Sequence, residues 1–134
     1  MSIEYYIEGF LHAEPAGLDT SRVLQCFAPR TREFADGMYR LEYDEVNGCD
    51  MSLTEEDGQV TSICIFRPFT HERFNLDLIQ LLGAGPYVLF APGGNAALVG
   101  REGMRSHLPL DMIEALGEPV VVDETTSISS VLFD

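Results

Sequence analysis

Lysine is missing from this chain altogether. All eight basic residues are arginines, set against twenty-two acids, for a formal net charge of -14. A surface this negative repels polyanions, which excludes DNA, RNA and anionic membranes as natural partners. The lysine absence itself has two readings, a coding preference for arginine or a need for the fixed guanidinium fork in particular ion pairs. Long apolar runs are missing too. No stretch approaches the roughly 20 apolar residues of a membrane span. The opening MSIEYYIEGF has neither a basic leader nor an apolar signal core, so a cytoplasmic address is expected. Cysteine is scarce: Cys26, Cys49 and Cys64 are odd in number, widely spaced and set among apolar neighbours, as reduced core thiols are.

Motifs for chemistry are absent as well. There is no nucleophile elbow and no cysteine in an active-site context. His12, His71 and His107 are scattered along the chain. Gly83-Ala84-Gly85 and Gly93-Gly94 follow no phosphate-cradle spacing and read as turns. Asp50, Glu55, Glu56 and Asp57 offer oxygen ligands near one hairpin, but residues that alternate across a sheet do not converge on one ion. The expectation is therefore a protein without catalytic residues, cofactor or metal.

What is present suffices for one core. At 134 residues and 46% hydrophobic, the chain is expected to form a single domain, 1–134. Ile3, Tyr5 and Ile7 alternate with Glu4, Tyr6 and Glu8, the period of a half-buried strand. Beyond the Pro15-Ala16-Gly17 turn, Leu18-Asp19-Thr20-Ser21 supplies a helix cap; Val23, Leu24 and Phe27 share a helical face, and Pro29 stops the helix.

Residues 38 to 67 read as a three-stranded antiparallel meander, because Asn47-Gly48 and Asp57-Gly58 separate three alternating runs. A two-residue loop at Asn47-Gly48 would put Cys49, Met51 and Leu53 on the face of Glu42 and Asp44. A three-residue loop, Val46-Asn47-Gly48 with a left-handed Gly48, instead sets Tyr39, Leu41 and Tyr43 opposite Leu53, Met51 and Cys49. That register places Asp44 directly opposite Asp50.

The second half contains a self-similarity. Leu76 to Gly83 (LDLIQLLG) matches Leu110 to Gly117 (LDMIEALG), and each copy is followed by a proline and an apolar strand. Duplication explains this, as does the shared grammar of helix-to-strand connections, in which a glycine takes the left-handed cap and proline forbids continuation. Ala96 to Val99 and Ser127 to Phe133 read as further strands. The expected fold is α+β: a mostly antiparallel sheet with the 38 to 67 meander and three short helices, in the order β-α-β-β-β-α-β-β-α-β-β.

Seven carboxylates fall between positions 42 and 57, with only Arg40 nearby in sequence. Like charges opposed across two strands are unfavourable by a few tenths of a kcal/mol, roughly, so the fold alone does not ask for them. A partner bringing lysine or arginine would relieve that repulsion. Protection of an exposed edge and solubility are the competing explanation. Glu42, Asp44, Asp50, Glu55, Glu56 and Asp57 are the candidate partner-binding residues.

Small size, acidity and the lack of catalytic motifs give the chain a character that resembles bacterial immunity proteins, which neutralise the toxin of a contact-dependent or type VI secretion system. The resemblance implies a non-enzymatic binder whose acidic residues cover a basic cognate toxin, as monomer or homodimer. The stretch LLGAGPYVLFAPGGNAALVG also resembles small acidic secretion chaperones, which hold an effector protein, although those end in a long helix. A small enzyme with a spatially assembled site is the third class.

Overall fold

The fold is that of a computed structural model and is described for residues 3–27 and 31–134. Its alternating N-terminal segment forms strand β1 (Glu4–Leu11), with Tyr5 and Ile7 buried and Glu4, Tyr6 and Glu8 on the half-buried opposite face. A two-residue strand β2 (Glu14–Pro15) folds back on its end. Helix α1 (Thr20–Gln25) starts where the cap signal predicts: Asp19 accepts the Arg22 amide at 2.9 Å, and Val23 and Phe27 enter the core. The expected stop at Pro29 lies outside the described residues.

Strands β3 (Thr31–Ala35), β4 (Met38–Glu42), β5 (Gly48–Glu56) and β6 (Gln59–Phe66) form an antiparallel run. Three of them are the expected meander. The fourth, β3, went unread, although Asp36-Gly37 is a turn dipeptide like Asp57-Gly58. After β6 come α2 (Glu72–Ala84), β7 (Tyr87–Phe90), β8 (Leu98–Val99), a 3-10 helix (Glu102–His107), α3 (Leu110–Leu116), β9 (Val120–Val121) and α4 (Ile128–Phe133). The nine strands form a mostly antiparallel sheet in the order β3-β4-β5-β6-β1-β7-β8-β9, with β2 attached to β1 and only the β8–β9 pair parallel. The protein is α+β.

The strand faces follow the sequence pattern, but the pairing does not. Tyr39 stands opposite Met51 and Leu41 opposite Cys49, two residues away from the expected register. Because side chains alternate with period two, a slip of two leaves every apolar residue on the core face and changes every cross-strand partner. Asp44 causes the slip. Its carboxylate accepts the Val46 amide at 2.9 Å, the Asn47 amide at 2.8 Å and the Asn47 side-chain amide at 2.8 Å, and Tyr43 N donates to Asn47 O at 2.9 Å. The connection is therefore longer than expected, and Gly48 is the first residue of β5. Asp57 (φ 51°) and Gly58 (φ 80°) form the expected two-residue turn.

Two apolar clusters lie on opposite faces of the sheet. The larger packs Tyr5, Ile7, Leu41, Met51, Ile63 and Ile65 against Phe74, Leu78, Leu81 and Leu82 of α2 and Val23 and Phe27 beside α1. The smaller sets Val88 and Val99 under Met104 and Leu108, with Met112, Ile113 and Leu116 of α3 alongside. Tyr87 is fully buried within the larger cluster. Its hydroxyl donates to Val60 O at 2.7 Å and accepts from Leu18 N at 3.0 Å, and burial pushes its pKa up to about 12.

Three details depart from expectation. Ser127 to Phe133 is not a strand. Ile128 and Leu132, four residues apart, bury one face of α4, and Asn75 holds its start by accepting Ile128 N at 2.9 Å and donating to Thr126 O at 2.8 Å. Gly83 does not cap α2, which continues to Ala84; Gly85 is extended (φ -128°), as a residue before proline must be. Gly117 does take the left-handed cap (φ 86°). The two similar segments also differ in use, since α2 supplies the core whereas no residue of α3 is fully buried, and β7 lies between antiparallel neighbours whereas β9 runs parallel to β8.

Candidate functional site

The structure separates the six candidate carboxylates. Asp50 lies opposite Arg40, not Asp44, and the two pair at 3.3 Å. Glu42 pairs with Arg32 at 3.1 Å on the same face. Asp44 belongs to the turn just described, where hydrogen bonds from the Asn47 side chain and then from the Val46 and Asn47 amides hold its pKa below the usual aspartate value; its carboxylate also lies 3.5 Å from His71 Nε2. The like-charge opposition expected of Asp44 and Asp50 is absent, and each of the three residues has a partner within the fold. Glu55, Glu56 and Asp57 lie at the far end of β5, roughly 20 Å from Asp50 along an extended strand.

At that far end the chain gathers other acids that the sequence did not single out. Thr20 Oγ1 donates to Glu55 Oε2 at 2.5 Å, which brings the α1 cap Asp19 alongside the β5–β6 hairpin. The β3–β4 turn reaches the same end, where Leu53 N donates to Gly37 O at 2.9 Å. Tyr39 reports the resulting field: burial raises its pKa most, and the carboxylates of Glu33, Asp36 and Glu55 raise it further. Asp19, Glu33, Asp36, Glu55, Glu56 and Asp57 thus converge from four segments. All six are exposed. Asp36 and Glu56 make no hydrogen bond or ion pair with the described residues. The missed members, Glu33 and Asp36, were within reach of the sequence through the Asp36-Gly37 hairpin signal.

The histidines and cysteines act locally. His71 caps α2 by accepting Arg73 N on Nδ1 at 3.1 Å, which leaves the Nε2 proton directed at Asp44. His12 and His107 contact edge to face at 4.7 Å, and His12 N donates to His107 Nδ1 at 3.0 Å. Cys26 and Cys49 are buried and Cys64 is half-buried. Burial pushes all three thiols up, Cys49 to about 12, which is the opposite of what a nucleophile needs. Among the described residues no three His, Cys, Asp or Glu side chains are grouped to hold a metal ion, and no helix is long and apolar enough to cross a membrane.

A cleft of about 640 Å³ lies elsewhere, between the first half of α2 and the segment leading into α4. Neither the acidic end nor this cleft has a counterpart to compare: no protein-family model matches the chain, and no curated protein or solved structure is significantly similar to it.

Proposed function

We propose that this chain is a non-enzymatic protein that binds and neutralises a basic protein toxin, in the manner of the bacterial immunity proteins it resembles in character. The observation that carries the reading is the gathering of Asp19, Glu33, Asp36, Glu55, Glu56 and Asp57 at one end of the sheet, with Asp36 and Glu56 uncommitted to any pair within the described fold. Exposed like charges repel one another, so beyond the Asp19 cap and the Thr20–Glu55 hydrogen bond the cluster is not explained by holding this end together. A partner bearing arginine or lysine gains from them twice. The field accelerates encounter, and each carboxylate accepts charge-assisted hydrogen bonds on docking.

Co-expression with a toxin encoded beside its gene is the direct test, with survival as the expected result. Asp36→Arg with Glu56→Arg should slow association by about tenfold or more at low salt, while thermal unfolding stays close to that of the parent. Failure to rescue would remove the immunity reading. Unchanged association of the double variant would move the interface off this end.

A further inference from the structure

We infer that the cleft between α2 and the 123–134 segment is a binding site for a small amphipathic cation, an aromatic ring carrying an amine, with the Tyr5 hydroxyl as its polar anchor. This goes beyond the toxin-binding reading and involves a different surface. The volume, about 640 Å³, lies in the range of small-molecule sites. Its interior is apolar, formed by Phe69, Phe74, Leu78 and Ile128, with Phe69 and Phe74 stacked at 4.7 Å.

Tyr5 supplies a polar group to the wall of the cleft. It is 4% exposed and lines the cleft, yet its hydroxyl makes no hydrogen bond with any described residue. Two other tyrosine hydroxyls are engaged within the fold: Tyr87 with Val60 and Leu18, and Tyr43 with Asp77 at 2.6 Å. No buried polar side-chain atom among the described residues lacks a partner, so the Tyr5 hydroxyl is one that solvent reaches. Phenylalanine would fill the same place in the core, and the hydroxyl adds a group that a ligand in the cleft can hydrogen-bond in place of water.

The mouth decides the charge of the ligand. Glu72 and Glu124 stand at the rim, both exposed, and no arginine of the described residues lines the cleft. Thr70, Ser127 and Ser129 add hydroxyls that serve as donors or acceptors. An anion would meet two carboxylates, with the basic ring of His71 already set against Asp44. An ammonium would meet both, with aromatic rings beneath it. The walls are also set in advance. Asn75 fastens the 126–128 backbone to α2, and Asn95 fastens the end of α4 through its amide to Leu132 O at 2.7 Å and its side chain to Asp134 O at 3.1 Å, so binding orders little new chain.

Titration calorimetry of the full chain with tryptamine, tryptophol and indole-3-propionate tests this with one ring and three charges. The expected order is tryptamine tightest, tryptophol weaker and the propionate undetected. Tyr5→Phe should weaken tryptamine binding by about tenfold while the protein unfolds at the same temperature or higher. Glu72→Gln with Glu124→Gln should weaken tryptamine several-fold and leave tryptophol unchanged. Chemical-shift changes on tryptamine addition should centre on Thr70, Asn75 and Ser129. The inference is overturned by no tryptamine binding at millimolar concentration, by the propionate binding as well as the amine, by unaltered affinity in Tyr5→Phe, or by shift changes confined to another surface. None of these results bears on toxin rescue, so the two readings fail separately.

Discussion

The Tyr43 hydroxyl donates to Asp77 Oδ2 at 2.6 Å, which ties the β4–β5 connection to the middle of α2 across the edge of the core. Asp77 is 4% exposed, a carboxylate carried into the interior on the apolar face of its helix. Rings of Phe69, His71 and Phe74 surround Tyr43 at centroid distances of 5.3 to 5.7 Å, so the hydroxyl is held in an environment from which water is largely excluded.

That contact predicts the cost of losing it. Tyr43→Phe keeps the ring packing and removes one donor from a buried carboxylate, a loss of about 1 to 3 kcal/mol. Urea unfolding should show a lower midpoint with an unchanged slope. An unaltered midpoint would mean that water replaces the hydroxyl at Asp77.

Two glycine substitutions should move stability in opposite directions. A Cβ on Gly17 would sit 1.8 Å from Val60 O, where β6 backbone cannot retreat without disturbing the Leu18–Val60–Tyr87 hydrogen bonds. Gly17→Ala should therefore destabilise by at least about 1 to 3 kcal/mol. Gly83 lies inside α2 with nothing within 4 Å of its Cβ position, and Gly83→Ala should stabilise by about 0.5 to 1 kcal/mol through helix propensity. Thermal melts of the two variants, read against the parent, check both signs.

Acid should unfold the protein partly through its turns. Hydrogen bonds to Asp44, Asp19 and Asp123 lower their pKa values in the folded state below the usual aspartate value. A depressed folded pKa gives stability that is present above the unfolded value and lost as pH falls through the folded one. Glu8 works in the opposite sense. Burial raises its pKa, so it costs stability at neutral pH and that cost disappears as pH falls through the raised value. Urea midpoints should thus rise slightly on mild acidification and fall below the ordinary aspartate range. Asp44→Asn, which keeps an acceptor oxygen in the turn, should make the acid limb shallower; an unchanged limb would show that Asp44 titrates alike in both states.

Much of this architecture was written locally. Alternation in β1, the cap at Asp19, the Asp57-Gly58 turn and the proline that ends α2 are decided within a few residues, by backbone sterics and hydrogen bonds between near neighbours. The core face of the meander was legible for the same reason, since facing depends only on parity along the strand. Which residues stand opposite one another was not. Three hydrogen bonds accepted by the Asp44 carboxylate lengthen the connection, turning an expected repulsion between Asp44 and Asp50 into an Arg40–Asp50 ion pair. Ser127 to Phe133 shows the same limit: a short apolar run satisfies helix or strand, and Asn75, distant in sequence, sets the start of the helix.

The sequence by itself determined the sign and size of the charge, the core-facing residues and most turns, because those are properties of composition and of local period. Only the tertiary structure decided where the charge gathers and which side chains line a cleft. Asp19, Glu33, Asp36 and Glu55 meet because α1 and two hairpins end at one edge, and Tyr5 faces a cleft because α2 and the C-terminal segment leave one there. Both are distances between segments far apart in the chain, fixed by packing.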